Sequence, residues 1–302
     1  MPSKLTKLSF YSDFNKKLNK GDLPNSIKEL YFFNSYNKKF YQNVLPTSLE
    51  ILYLNNYNYI LDNNTLPISL KQLYLNNYNY KLIENVLPIS LKQLYLNNYN
   101  YKLTENVLSP KLTHLHIRNY NTYIYKINKN VLPETLEYLY LESTKIKNFE
   151  PNSLPRSLKY LKMEKYNYNL DYLPDSLEYL SIMNYNKKLY IYTLPQSLKY
   201  LYLGHSFNQP LFKNTFPNSL LYLDLGKYFN QPLLKDILPD SLLYLNMGKY
   251  FNHEFDINIF PKSLLYLYFD NQSEFKKKIN KDNISQLIFF NYCTNIYLPN
   301  FI

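Results

Sequence analysis

Leucine recurs in one short pattern along almost the whole chain. The stretch Leu66-Pro67-Ile68-Ser69-Leu70-Lys71-Gln72-Leu73-Tyr74-Leu75 returns nearly unchanged from Leu87 to Leu96. Its general form is L-P-x-S-L-x-x-L-x-L, with prolines at Pro24, Pro46, Pro67, Pro88, Pro133, Pro155, Pro174, Pro195, Pro217, Pro239 and Pro261. One further copy, Leu108-Ser109-Pro110-Lys111-Leu112, has Ser and Pro exchanged. Spacing is mostly 21 or 22 residues, with one interval of 19 and one of 24. Apolar residues two apart, such as Leu73 and Leu75, predict a short strand with Leu inward and its neighbours outward.

A self-similar period of this length means stacked coils, each covering the apolar face of the next. About fourteen strands would stack in parallel at ~4.8 Å. So short a coil has little room for a full helix, and its proline excludes a regular helix or inner sheet position there. The expectation is an all-β-rich repeat solenoid over residues 1–302. It would be a leucine-rich-repeat-like, right-handed coil with one parallel sheet on its concave face and extended or 3₁₀ segments on the convex side. Degenerate copies at about 1–22 and 276–302 are read as caps. The second includes Ile284, Leu287 and Phe289, with Lys276, Lys277 and Lys278 keeping that end polar.

Composition removes several function classes. Four glycines cannot supply a dinucleotide or phosphate-cradling loop, and neither glycine motif occurs. A single cysteine, Cys293, excludes a disulfide framework and a thiolate zinc site. No apolar run approaches a membrane span, and the start Met-Pro-Ser-Lys-Leu is not a signal peptide, so a cytoplasmic location without membrane contact is expected. Lys and Arg exceed Asp and Glu by 34 to 23, a net charge of +11. Asn, Lys, Ile, Tyr and Phe are all encoded by AT-rich codons, so codon bias is a sufficient source of that excess.

After each strand a second signature follows, clearest at Phe207-Asn208-Gln209-Pro210-Leu211 and Phe229-Asn230-Gln231-Pro232-Leu233. Together the two motifs resemble the FNIP repeat, a relative of the leucine-rich repeat expanded in social amoebae and in giant viruses that infect amoebae. The resemblance covers residues 2 to 299. Most copies read Tyr-Asn instead, as at Tyr57-Asn58 and Tyr185-Asn186, and the motif is lost at Lys145-Ile146. Many family members carry an F-box ahead of the repeats. Here the repeats begin at residue 2, leaving no room for one and leaving ligase recruitment open.

In a solenoid each motif position becomes a column. Asn15, Asn37, Asn58, Asn79, Asn100, Asn121, Asn167, Asn186, Asn208, Asn230 and Asn252 predict an amide ladder that satisfies buried turn groups. Asn43, Asn64, Asn85, Asn106, Asn130, Asn152, Asp171, Asn214, Asp236 and Asn258 predict turn closure. The serine column invites a nucleophile reading, yet no His or Asp repeats beside it, and a local backbone hydrogen bond suffices. His114 and His116 share a strand face, but no acidic or thiol partner recurs there to complete a metal site. No catalytic residue, metal or cofactor is expected, and the chain is read as not an enzyme.

The outward strand positions hold two tyrosine columns. One is Tyr138, Tyr160, Tyr179, Tyr200, Tyr222, Tyr244 and Tyr266; the other is Tyr31, Tyr53, Tyr74, Tyr95, Tyr140, Tyr202 and Tyr268. Cross-strand stacking would stabilise the sheet and also form a rigid amphipathic contact surface. Gly204, Gly226 and Gly248 follow the same strands and predict a shallow groove beside the rings. The reading is a protein-interaction scaffold, acting as a monomer, whose partner is a host protein if the source is viral. The alternative is nucleic-acid or carbohydrate binding, with Lys16-Lys17, Lys38-Lys39 and Lys187-Lys188 meeting phosphate.

Overall fold

The computed structural model describes residues 4–11, 14–119, 124–254, 256–268 and 288–290. Asn121, Lys276, Lys277, Lys278, Ile284, Leu287 and Cys293 lie outside them. Contacts divide the chain into two units, Met1–Lys165 and Tyr166–Ile302. In both, every leucine motif forms one coil of a parallel β-solenoid. The one helix among the described residues is a 3₁₀ turn, Ile257–Ile259.

The first unit carries β1 (Lys7–Phe10), β2 (Glu29–Phe32), β3 (Ile51–Asn55), β4 (Gln72–Asn76), β5 (Gln93–Asn97), β6 (His114–Arg118), β7 (Ile124–Tyr125), β8 (Tyr138–Ile146) and β9 (Tyr160–Lys165). They pair in the order β1-β2-β3-β4-β5-β6-β8-β9, with the short β7 beside β8. The second carries β10 (Tyr179–Ile182), β11 (Tyr200–Tyr202), β12 (Tyr222–Asp224), β13 (Tyr244–Asn246), β14 (Tyr266–Tyr268) and β15 (Ile288–Phe290), paired in chain order. Registers follow the motif, so Leu52, Leu73, Leu94 and Leu115 form one row and Leu201, Leu223, Leu245 and Leu267 another. These leucines are fully buried, each contributing about 1.5–3 kcal/mol before conformational entropy is counted. The 24-residue copy accommodates β7, and β8 carries an irregularity between Leu141 and Lys145 where it pairs with β9.

The proline sits where a turn needs a carbonyl and no N–H. In most coils the Leu three residues after the proline donates its N–H to the proline carbonyl, as Leu70 does to Pro67 at 3.1 Å, and in the exchanged copy Leu112 donates to the Ser109 carbonyl instead. The next residues enter the strand. The serine between them bonds neither of these neighbours. Ser69 Oγ donates to the Leu49 carbonyl (2.6 Å), Ser157 to Leu136 (2.7 Å) and Ser241 to Leu220 (2.7 Å). The expected local bond is therefore a bond between coils, made because the preceding coil's carbonyl has no other donor within its own turn.

A second stack lies behind the leucines. The aromatic residue before each Asn, namely Tyr36, Tyr57, Tyr78 and Tyr99 in the first unit and Tyr166, Tyr185, Phe207, Phe229 and Phe251 in the second, is buried to within 1%. Its rings lie nearly parallel, 6.5 Å apart for Tyr57–Tyr78 and 6.0 Å for Phe207–Phe229. The tyrosine hydroxyls accept the backbone N–H of the preceding coil, Tyr57 from Phe40 (2.9 Å), Tyr78 from Leu61 (2.9 Å) and Tyr99 from Leu82 (2.8 Å). Burial pushes the Tyr78 and Tyr99 hydroxyls up to about 12.

The two asparagine columns divide the remaining work. Asn43, Asn64, Asn85, Asn106, Asn130, Asn152, Asn214 and Asp236 adopt φ of 58–64°. Each is the third residue of a turn such as Tyr41–Val44, whose closing N–H to carbonyl distance is 3.3 Å, and a positive φ there favours Asn, Asp or Gly. Asp171 and Asn258 depart from the expected turn role. Asp171 has no positive φ, and Asn258 lies in the 3₁₀ turn, its N–H bonded to Asp256 Oδ1 at 2.9 Å. Tyr192 takes the left-handed place in its coil, with φ 64°. The other column does form a ladder, in which Asn208 Oδ1 accepts the Asn230 N–H (2.9 Å) and Asn230 Oδ1 the Asn252 N–H (2.9 Å). It runs along the surface and not through buried turns, because the ring beside it takes the interior.

Two substitutions test this reading. Tyr57→Phe leaves the buried Phe40 N–H unpaired and should lower stability by about 1–3 kcal/mol. Tyr192→Asn relieves a left-handed bulky residue and should raise it by about 0.5–1.5 kcal/mol. Urea midpoints at constant slope measure both. Unchanged midpoints would contradict the assigned roles.

Candidate interaction face and strand-exit groove

The outward strand positions form half-buried rows in both units. In the first, Tyr53, Tyr74 and Tyr95 occupy one register position, and Tyr138 and Tyr160 the other. Tyr74 and Tyr95 stack at 4.2 Å and 8°. In the second unit Tyr179, Tyr200, Tyr222, Tyr244 and Tyr266 are in register, with Tyr202 and Tyr268 in the parallel row. Tyr222 and Tyr244 stack at 4.2 Å and 4°, whereas Tyr200 and Tyr222 tilt by 38° at 6.4 Å. That tight stack covers Tyr244, which is only 6% exposed. Tyr244 therefore presents little contact area, unlike its neighbours, and its role is packing.

Charged and hydrogen-bonding side chains interrupt the rows in both units. In the first unit His116, Lys162 and Arg118 gather round Glu142. His116 Nε2 lies 3.3 Å, Lys162 Nζ 3.5 Å and Arg118 Nε 3.8 Å from its carboxylate. The His116 contact, then the neighbouring cations, outweighs burial and holds Glu142 down to about 2. His114 stacks on Tyr138 at 4.2 Å, and burial lowers its imidazole below the ordinary histidine range. The two histidines face different partners, one aromatic and one acidic. Among the described residues no group of three or more His, Cys, Asp or Glu could hold a metal ion.

In the second unit Asp224 and Asn246 stand in the Tyr202–Tyr268 row. Asp224 Oδ1 accepts the Gly226 N–H at 2.7 Å, and Oδ2 accepts Asn246 Nδ2 at 3.1 Å. Burial lifts the Asp224 carboxyl above the usual carboxylate range, against those two donors. Beside them runs a groove of about 260 Å³, lined by Gly204, His205, Gly226, Lys227, Gly248, Lys249 and Tyr268 as well. The glycines do border the expected groove, but their first requirement is backbone. All three have positive φ, of 68°, 86° and 84°, and a Cβ on Gly226 or Gly248 would collide with the preceding glycine's carbonyl. In the first unit the same strand exits carry Asn77 and Asn98, whose amides donate to Asn56 and Asn77 at 2.6 and 2.5 Å.

Sequence reasoning placed the tyrosines but passed over Glu142, Arg118, Lys162, Asp224 and Asn246. The available signal was the break in each column, where Tyr gives way to His, Lys, Asp or Asn. Of the lysine pairs, Lys17 and Lys39 stand over the Tyr41 ring at 5.1 and 5.7 Å, and Lys39 pairs with Asp62 at 2.6 Å.

Glu142 makes the fold acid-sensitive in a defined window. A carboxyl lowered from 4.5 to about 2 contributes stability that is complete above its unfolded value and lost as pH falls through the folded one. Glu142→Gln should cost roughly 1–3 kcal/mol at neutral pH and flatten the stability curve between about pH 5 and 2. An unchanged acid limb in urea titrations would disprove the assignment.

Among the described residues, no helix is long and apolar enough to cross a membrane. No curated protein matches the chain. Of solved structures, the giant-virus protein CroV588, described as a novel circular leucine-rich-repeat protein, is 35% identical with a TM-score of 0.81 over 90% of this chain. The chain spans 44% of that protein's length. The leucine-rich-repeat protein FLRT2, in a complex with Latrophilin 3 and Unc5D, shares the fold at 16% identity and a TM-score of 0.55, over 96% of this chain and 87% of that one. The FNIP Repeat model matches residues 1–35, 14–57, 57–99, 99–144, 147–184, 185–228 and 229–272. The chain belongs to the FNIP repeat family.

Proposed function

We propose that this protein is a non-enzymatic interaction scaffold that captures a protein partner on the tyrosine-rich face of its strands. The observation that carries the reading is the in-register rows of half-buried tyrosines, including the Tyr74–Tyr95 stack. Such rings offer large, rigid contact area at low entropic cost, with a hydroxyl for specificity. Leucine-rich-repeat-like folds typically serve as interaction scaffolds and are generally non-enzymatic. The serine hydroxyls support the same view, because they are spent on carbonyls of neighbouring coils. The likeness to CroV588 favours a viral source, for which the partner would be a host protein in the cytoplasm and the scaffold a monomer.

Replacing Tyr74, Tyr95 and Tyr200 together by Ser tests the face. Affinity capture from a nuclease-treated cell lysate should fall about thirtyfold or more, since anchoring aromatics carry ≥ ~2 kcal/mol each. Circular dichroism should remain that of the folded protein. Glu134→Ala, Arg156→Ala and Gln196→Ala, on the outer turns, should leave capture unchanged. Recovery of the same partners by the folded triple variant would reject the reading, and capture abolished by nuclease would favour nucleic acid.

A further inference from the structure

The two units treat the strand exit differently, and only one leaves it open. Where Asn56, Asn77 and Asn98 fill the exit with bonded amides, the second unit has Gly204, Gly226 and Gly248 beneath an open groove of about 260 Å³. That space suits one small molecule and is too small for a folded segment. Its lining is polar and held in place. Asp224 uses one lone pair of each oxygen on Gly226 N–H and Asn246 Nδ2, so each oxygen keeps another for an incoming hydroxyl. Asn246, 9% exposed, is fixed by the Gly248 N–H donating to its Oδ1 at 2.9 Å. A carboxylate beside an amide, both oriented by backbone donors, matches a pair of vicinal hydroxyls.

The lysines supply what such a pair lacks. The pentapeptide Gly-Lys-Tyr-Phe-Asn occurs at Gly226–Asn230 and again at Gly248–Asn252, so Lys227 and Lys249 line the groove from consecutive coils. Lysines placed at the same position of adjacent coils along one groove fit an anion with several oxygens. Tyr228 and Tyr250, both about half exposed, stack at 5.1 Å and 4° next to these lysines, with Lys227 Nζ 5.1 and 6.0 Å from the two ring centres.

We propose that the strand-exit groove binds a small phosphorylated polyol, with Lys227 and Lys249 on the phosphate and Asp224 and Asn246 on adjacent hydroxyls. This goes beyond the protein-contact reading and does not depend on it. A free sugar phosphate and the ribose phosphate of a nucleotide share this chemistry. Only the nucleotide would also use the Tyr228–Tyr250 stack. Desolvation of Asp224 strengthens the hydrogen bonds that it accepts.

Titration calorimetry of the full chain with ribose 5-phosphate, adenosine monophosphate, ribose and inorganic phosphate tests it. Ribose 5-phosphate should bind at least about tenfold more tightly than ribose or phosphate alone. The double variant Lys227→Ala/Lys249→Ala should lose about tenfold to a hundredfold, and Asp224→Asn about tenfold, down to the affinity of phosphate. If Asp224→Asn fails to fold, the lysine variant alone decides. Tighter binding of adenosine monophosphate identifies a nucleotide, and equal binding a sugar phosphate. A variant with Tyr74→Ser and Tyr95→Ser should bind as the unaltered protein does, which separates this site from the tyrosine face. The proposal is overturned if no phosphorylated probe binds at millimolar concentration, if inorganic phosphate binds as tightly as ribose 5-phosphate, or if the lysine variant binds undiminished.

Discussion

No coil of this protein can satisfy its own interior, and that constraint organises nearly everything else. A coil of 21 or 22 residues presents one row of leucines, one aromatic ring and several turn carbonyls toward its neighbours. Partners for all three come from about one repeat away. Ser69 reaches Leu49, the Tyr57 hydroxyl reaches Phe40, and Asn208 reaches Asn230. Parallel strand pairing supplies the backbone part of the same dependence. The motif residues are hence better understood as connectors than as local structure-formers. Proline acts locally, offering a carbonyl to its turn while having no N–H to satisfy, and so do the left-handed asparagines of the second column.

A connector must occur in matching places in successive coils, which is why much of the fold was legible from sequence. Period, strand direction, Leu-in and Tyr-out alternation, and the turn role of most of the second asparagine column all follow from residues that repeat. The serine bond was legible as a bond but not in its direction, since a hydroxyl can serve its own turn or the next coil with the same residue type. The buried Tyr and Phe stack was overlooked for a related reason. In Tyr57-Asn58 the asparagine draws attention as the polar residue, although the ring beside it is the one buried. Tyr192 shows the opposite limit, where the coil geometry imposes a left-handed turn on a residue that would not choose it.

Close stacking also has two solutions at the strand exit. Asparagine fills it with an amide ladder, and glycine lets backbone approach backbone. Both tolerate positive φ, but the glycine coils take one more residue between the strand leucine and the buried ring, as in Leu203 to Phe207 against Leu75 to Tyr78. The side-chain volume differs as well. The glycine solution removes three side chains from one edge and uncovers Asp224, Asn246 and the lysines of the next turn. A substitution driven by packing thus creates a concave polar surface that the asparagine solution cannot have.

Regularity makes the fold readable and the site obscure, because a residue shared by every coil cannot single out a place along the solenoid. Specificity has to come from departures. The tyrosine rows recur from coil to coil, whereas His116 and Lys162 in one unit, and Asp224 and Asn246 in the other, replace tyrosine with charged and hydrogen-bonding groups. Buried or half-buried polar groups cost free energy unless they are paired, so such breaks persist only where partners are arranged for them. Glu142 receives Lys162, Arg118 and the His116 imidazole, and Asp224 receives a backbone N–H and an amide. The first cluster is closed upon itself. The second borders an open groove with room for a ligand.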